Sequence, residues 1–464
     1  MTINRSLSTA LSGAMLLLAP AGLRAQGFLT GDSGGVRRAW CAHGVDFTAA
    51  YTGEVFGVVG GGVKRGAAFD GLLELGLDVD LEQFAGWTGA ALHANGFYPH
   101  GTSGTDRYAG DLGVFSNIDF YDSYRLFELW LQQDFLDGRL SFRAGQLGFD
   151  TEFGGGDYSA LFVNSSFGVA PAISGNFPVP IYAISALGAR VKVLPVAWLY
   201  AQAAIYDGNP APAALGDFSP DAAATSEFNH YGTHWALRDD EGAFIAAEIG
   251  MQFNQPAPDA PWWDTLAAKD SKSGKAAAPR GLAGSYKLGV VYHTDDFADS
   301  RDAQLTALGS SLAPAEARSV SGNWAIYALG DQEVWREPGS ETDGLGVFGR
   351  AVFAPAGRNF LGWSGEIGAV YTGLLQEDGR DQLGLALAWL DVSGRVSAAT
   401  RDANRADGTA FSKPDFEAII EATYRFQVTP WCAVQPDVQW IFHPGGSREN
   451  DTAIVVGLRT QIAF

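Results

Sequence analysis

Cysteine, methionine and charge are all scarce in this chain of 464 residues, which has two Cys, three Met and only 18% Asp, Glu, Lys and Arg. Two cysteines, Cys41 and Cys432, exclude a disulfide framework and leave either one bridge or two unrelated thiols. The seven His and two Cys fall in no HExxH or CxxC spacing, so no metal and no cofactor is expected. GWSGE at 362–366 lacks the final Gly of a GxSxG elbow, and KSGKA at 272–276 lacks the flanking residues of a P-loop. Without a Ser/His or acid/His constellation, no enzyme is expected. Beyond the first 25 residues no apolar run is long enough for a helix to cross a membrane.

The first 25 residues form a segment of their own. Arg5 precedes an apolar run from about Ala10 to Leu23, and Ala25 follows as a small residue, the pattern of a secretory signal peptide. That stretch carries Arg5 and Arg24 and no acid, so its removal leaves 29 bases against 52 acids. The acidic balance argues against nucleic acid and anionic headgroups as partners. Frequent Gly (59 residues) and 12% aromatics favour strands and turns over long helices.

What the sequence does have is alternation. In LLELGLDVDL at 72–81, Leu73, Leu75, Leu77, Val79 and Leu81 share one face, and Glu74, Asp78 and Asp80 the other. In LFELWLQQDF at 126–135, Phe127, Leu129, Leu131 and Phe135 oppose Glu128, Trp130, Gln132 and Asp134. The chain's last stretch repeats the pattern, with Leu458, Ile462 and Phe464 on one side and Arg459 and Gln461 on the other. A period of two places successive side chains on opposite faces of a sheet. A soluble sandwich alternates too, but these strands are long and bear charges and aromatics at mid-strand, as the wall of a wet lumen would.

Sixteen such segments are expected, at 45–56, 69–81, 87–100, 125–135, 139–149, 181–193, 197–206, 242–254, 284–293, 323–335, 344–354, 362–374, 383–392, 415–427, 431–442 and 451–464. Many connections after odd-numbered strands are long, and most after even-numbered ones are tight, which is the outer-membrane arrangement. The fold class expected is therefore all-β, a closed antiparallel transmembrane β-barrel over 45–464 in a Gram-negative outer membrane, preceded by a short N-terminal periplasmic segment at 26–44. In GDSGGVRRAWCAHG at 31–44 a short helix would put Val36, Trp40 and Cys41 on one face. NQPAPDAPWWDTLAAKDSKSGKAAAPRG at 254–281 breaks the loop pattern and reads as a flexible periplasmic insertion. The loop at 150–180 holds Phe153, Leu161, Phe162, Val163 and Phe167, which need cover; folding into the lumen and packing at the outer rim would both supply it.

An ordered set of stretches resembles the carbohydrate-selective porin family of the OprB type. They are GDSGGVRRAWCAHGVDFTAAYTGE at 31–54, ELWLQQDFLDGRLSFRAGQL at 128–147, DYSALFVNSSFG at 157–168, GARVKV at 188–193, GLGVFGRAVFAP at 344–355 and QPDVQWIFHPGG at 435–446. Ser33 departs from the Trp usual in the family's GDWGG stretch, and the 254–281 insertion is longer than the pattern. The resemblance implies a sixteen-stranded barrel that passes monosaccharides such as glucose by diffusion. Its expected partners are small carbohydrates, outer-membrane lipid and, during biogenesis, the barrel-assembly machinery, with monomer and homo-oligomer both open. A less selective porin for small polar solutes is the alternative.

A pore for neutral sugars must replace part of their hydration without holding them, using carboxylate acceptors, Arg donors and aromatic faces. Strand phase gives the inward candidates. Of these, Arg143, Glu128, Trp130, Arg190, Arg350, Arg425, Asp437 and Arg459 lie near mid-strand and are the expected pore-lining, sugar-contacting residues.

Overall fold

The computed structural model describes residues 27–210, 229–233, 235, 237, 241–255, 281–376 and 379–464. The expected signal peptide and nearly all of the expected 254–281 insertion lie outside the described residues. Sixteen strands form one closed antiparallel barrel in which each strand pairs with its chain neighbours. They are β1 (Val45–Gly60), β2 (Gly66–Asp80), β3 (Ala90–Gly101), β4 (Arg125–Phe135), β5 (Leu140–Leu147), β6 (Ala186–Val196), β7 (Leu199–Asp207) and β8 (Ala243–Phe253). The second half comprises β9 (Gly284–Ala298), β10 (Ser319–Arg336), β11 (Gly344–Phe353), β12 (Leu361–Thr372), β13 (Asp381–Val392), β14 (Phe416–Thr429), β15 (Cys432–Phe442) and β16 (Ala453–Ala463). β16 closes the wall on β1, with Glu54 opposite Arg459 and Tyr51 opposite Ile462. Closure leaves no edge whose unpaired amides would face hydrocarbon.

Burial is inverted relative to a soluble protein. Along β14, Glu417, Glu421, Thr423, Arg425 and Gln427 are buried inside the barrel. Outward-facing Leu288, Ile367, Leu385 and Leu458 are exposed, Leu385 at 59%. Aromatic pairs mark both rims of the apolar band: Tyr98 with Tyr124, Phe353 with Trp363 and Trp389 with Phe416 at the long-loop end, Trp198 with Phe253 and Trp335 with Tyr371 at the short-turn end. Such girdles sit at the two membrane interfaces, and tight turns mark the periplasmic side. Some strand glycines are seats for rings. The Tyr158 ring occupies the space beside Gly346 that a Cβ would fill, and Tyr327 does the same at Gly289.

Four local details differ from the sequence reading. First, β6 begins at Ala186 rather than 181, because 181–185 continues the preceding loop. Second, Phe127 does not share the lipid face with Leu129 and Leu131. The β3–β4 register slips where Asn95 meets Glu128 and Gly96 meets Leu126, so one extra residue is accommodated and Phe127 turns inward onto Phe97. Third, the N-terminal helix spans Val36–Cys41, but Cys41 is 2% exposed while Val36 and Trp40 are half exposed at 50% and 52%. Cys41 lies a quarter turn or more from the other two around the helix, so it points to the protein while they point away. Fourth, two extracellular loops contain helices, Ser300–Ala307 and Gly394–Asp407, each started by a side-chain cap from Asp299 or Ser393. They meet through Leu305, Ala399 and Ala403 and an Arg301–Asp402 ion pair. Cys41 and Cys432 are both free thiols.

Candidate functional site in the lumen

The polar row on the inner wall is mostly occupied by the protein's own loops. The connection 148–185 runs along the inside of the barrel, and nearly every strand it passes offers it one side chain. On β7, Gln202 donates to the Glu152 carbonyl at 2.7 Å. On β8, Glu248 accepts the Gly154 N–H at 3.0 Å, and on β9 the Lys287 Nζ donates to the Gly155 carbonyl at 2.6 Å. On β10, Asp331 accepts the Tyr158 N–H at 3.1 Å; on β12, the Ser364 hydroxyl accepts Ala172 N–H at 3.2 Å. On β14, Glu421 accepts the N–H groups of Val163 and Asn164 at 2.6 and 3.0 Å; on β15, Gln435 donates to the Leu161 carbonyl at 2.8 Å. An irregular segment in an enclosed space must pair its backbone groups somewhere, and the wall carboxylates and amides do that here.

The loop 102–124 is held in the same way. Glu417 accepts N–H groups from Leu112, Gly113 and Gly445, each at 2.8 Å, and Asp70 accepts those of Thr102 and Ser103 at 3.2 and 3.1 Å. The two loops also pair with each other: Asn117 N–H donates to the Val163 carbonyl at 2.8 Å and Ser165 N–H to the Val114 carbonyl at 2.9 Å. Their apolar side chains are covered by the wall. Phe153, Leu161, Phe162, Val163 and Phe167 join inward-facing Phe244, Tyr327, Phe348, Val352, Ile419 and Val455 in one buried cluster. Burying these rings offsets the entropy of ordering a long loop.

The eight residues expected to contact sugar are all buried, at 0–7% exposure. Four come together on β4–β6. The Arg143 guanidinium lies 3.6 Å from the Trp130 ring centroid and donates to Gln132 Oε1 at 2.8 Å. It also pairs with Glu152, which accepts from Arg190 at 3.3 Å. Arg190 reaches the same Gln132 oxygen at 3.0 Å. Trp130 sits between neighbours from both flanking strands, with His93 of β3 stacked at 4.9 Å and Arg143 of β5 opposite. Glu128 accepts the Gly148 N–H at 2.8 Å and the Thr151 hydroxyl at 3.0 Å.

The other four are separate. Arg350 grips both Glu366 oxygens at 2.7 Å and donates to the carbonyls of Gly154 at 2.9 Å and Ser166 at 3.0 Å, and also to that of Gly168. Arg459 donates to Glu54 at 2.8 Å and to Asn117 of the first loop at 2.7 Å. Arg425 donates to Gln427, two residues along its own strand, at 2.9 Å, and Asp437 accepts from Gln439 at 3.0 Å.

Sequence reasoning missed Glu152 and Lys287. Strand phase assigns no face to a loop residue such as Glu152, whereas Lys287 falls on an inward position of its strand and could have been found. Burial pushes the Glu152 carboxyl up, but Arg143 first, then Arg190 and Lys192, bring it below the ordinary carboxylate value. Burial of Asp150, beside the Tyr182 N–H, pushes its carboxyl up to about 7. Among the described residues no three His, Cys, Asp or Glu side chains converge as a metal site.

A closed barrel of sixteen strands with an outward apolar band, aromatic girdles and a lumen narrowed by inward loops defines an outer-membrane porin of a Gram-negative bacterium. The family model of the carbohydrate-selective porins, OprB family, matches residues 64–464, and the chain belongs to that family. It is 27% identical to Porin B of Pseudomonas aeruginosa over 461 residues, covering 94% of this chain and 91% of that one. It is 23% identical to the putative porin QuiX of Acinetobacter baylyi over 459 residues, covering 94% and 93%. The high-pH structure of Pseudomonas putida OprB shares the fold, with a TM-score of 0.78 at 23% identity over 95% of this chain and 99% of that one. These relatives are channels, not enzymes.

Proposed function

We propose that the protein passes monosaccharides such as glucose by passive, selective diffusion through the lumen beside the paired loops 102–124 and 148–185. The observation that carries this reading is the pairing of charge. Arg143 and Arg190 share Glu152, Arg350 holds Glu366, and Arg459 holds Glu54. Paired charges of mixed sign create no single-sign ring, so the narrow region favours neutral polar solutes over ions more than an acidic or basic ring would. Partly buried Asn117 and Ser165, where the loops pair, are neutral groups whose remaining hydrogen-bonding capacity suits sugar hydroxyls. Of the expected sugar-contacting set, Arg143 and Arg190 are covered and act through Glu152, whose charge they neutralise. Arg350 and Glu128 act by holding the loop, and Trp130 by supporting Arg143. Arg425, Asp437 and Arg459 belong to the wall beneath. Insertion by the barrel-assembly machinery and surrounding outer-membrane lipid complete the expected partners.

Liposomes containing the purified protein test the reading. Glucose should swell them faster than amino acids of equal size, and Glu152→Gln should narrow that difference. Equal rates for all size-matched solutes would establish the general-diffusion alternative instead.

A further inference from the structure

We propose that Arg125 is the positioning residue of the outer mouth, tying three extracellular loops to β4 and so setting the largest solute admitted above the constriction. Arg125 opens β4 and is 3% exposed. Its Nε donates to the Ala183 carbonyl of loop 148–185 at 2.9 Å. One terminal nitrogen donates to the His230 carbonyl at 2.7 Å and to the Tyr121 hydroxyl; the other donates to the Asn229 carbonyl at 3.0 Å. Asn229 and His230 belong to the connection between β7 and β8, and Tyr121 to loop 102–124. One side chain therefore joins the connections that follow β3, β5 and β7.

Charge neutralisation does not explain this residue. Arg143, Arg190, Arg350 and Arg459 each have a carboxylate partner, whereas among the described residues no carboxylate lies within ion-pair distance of Arg125. A buried guanidinium without a counter-ion is costly, and here backbone carbonyls and rings offset that cost. The guanidinium lies 5.4 Å from the Phe120 centroid and 5.6 Å from that of Tyr121. Phe120 and Tyr121 stack at 4.3 Å, and Tyr121 stacks on His230 at 5.4 Å, so the rings extend the same tie between loops. A planar fork with five N–H donors can reach three loops at once; the single ammonium of Lys cannot hold that geometry.

The inference rests on the pore reading only in that solutes enter between these loops. The test uses the full-length protein in liposomes, with glucose, a disaccharide and a trisaccharide as probes, in wild type, Arg125→Ala, Arg125→Lys and Tyr121→Phe. Expected are a several-fold rise in the trisaccharide-to-glucose ratio for Arg125→Ala, a smaller rise for Arg125→Lys and the smallest for Tyr121→Phe. All three should keep the compact electrophoretic mobility of an unheated barrel, because the side chain is outside the strand ladder. Wild-type ratios in Arg125→Ala overturn the proposal. If that variant fails to assemble, wild-type ratios in both Arg125→Lys and Tyr121→Phe overturn it. Loss of glucose preference over amino acids in the wild type would instead sink the sugar reading and leave the size ratios to judge Arg125.

Discussion

Replacing Arg350 with Met should release loop 148–185 from the wall while the barrel stands. The side chain holds Glu366 with both carboxylate oxygens engaged and caps carbonyls at Gly154, Ser166 and Gly168. Breaking a buried ion pair from one side costs about 3–5 kcal/mol, because the remaining charge is stranded. Each orphaned carbonyl adds about 1 kcal/mol where water cannot reach it. With three carbonyls the total is about 6–8 kcal/mol, so loop opening should become more frequent by about four to six orders of magnitude. Hydrogen exchange followed by mass spectrometry reads this at the amides of Gly154, Val163 and Asn164, which donate to Glu248 and Glu421. Strand amides should keep their protection. The double variant Arg350→Met with Glu366→Leu removes the stranded carboxylate and should recover at least half of the loss, since only the carbonyl cost remains. Wild-type exchange in the single variant would refute the anchoring role. Equal losses in single and double variants would show that the buried charge is not the dominant cost.

Gly346→Ala should push the Tyr158 ring off its seat, raising exchange in 155–160 and swelling rates with larger sugars, with little change in barrel stability. Trp130→Leu removes the ring beneath Arg143, a contact worth up to about 2 kcal/mol when desolvated, and should reduce glucose discrimination in the swelling assay without abolishing passage. Leu385→Arg places a charge on the lipid face of β13 and should cost about 2–4 kcal/mol in reversible unfolding from vesicles, where Leu385→Ala costs much less. With Asp150 raised to about 7 from an ordinary value near 4, the seated loop binds a proton that the released loop does not. Its seating should therefore be firmest below about pH 4 and weaken as pH rises towards 7. Exchange of the Tyr182 amide, corrected for intrinsic pH effects, checks this, and Asp150→Asn should flatten the profile.

Side-chain direction along a strand is a local property, and that is why the wall was legible. The alternation at 72–81, at 126–135 and in the last strand distinguished lipid from lumen wherever the pairing stayed regular. It failed at Phe127, where one extra residue between paired positions swaps the face, a slip that depends on the partner strand and leaves no mark in β4 itself. The helix Gly394–Asp407 was missed for a similar reason. Its buried residues, Val396, Ser397, Ala399, Thr400 and Ala403, are small, and Ala399 and Ala403 find apolar cover only on Leu305 of the second loop helix.

The order and number of strands, the inverted burial and the outer-membrane setting were thus determined by the sequence alone, because a period of two repeats within each short stretch of chain. What occupies the lumen was decided only by the tertiary structure. Arg350 read as a sugar-contacting side chain of the lumen, yet it, Glu417, Glu421 and Glu248 are each bound to the backbone of a loop far away in sequence. Such contacts depend on how the long connections fold back through the barrel, and no periodicity within a strand carries that information.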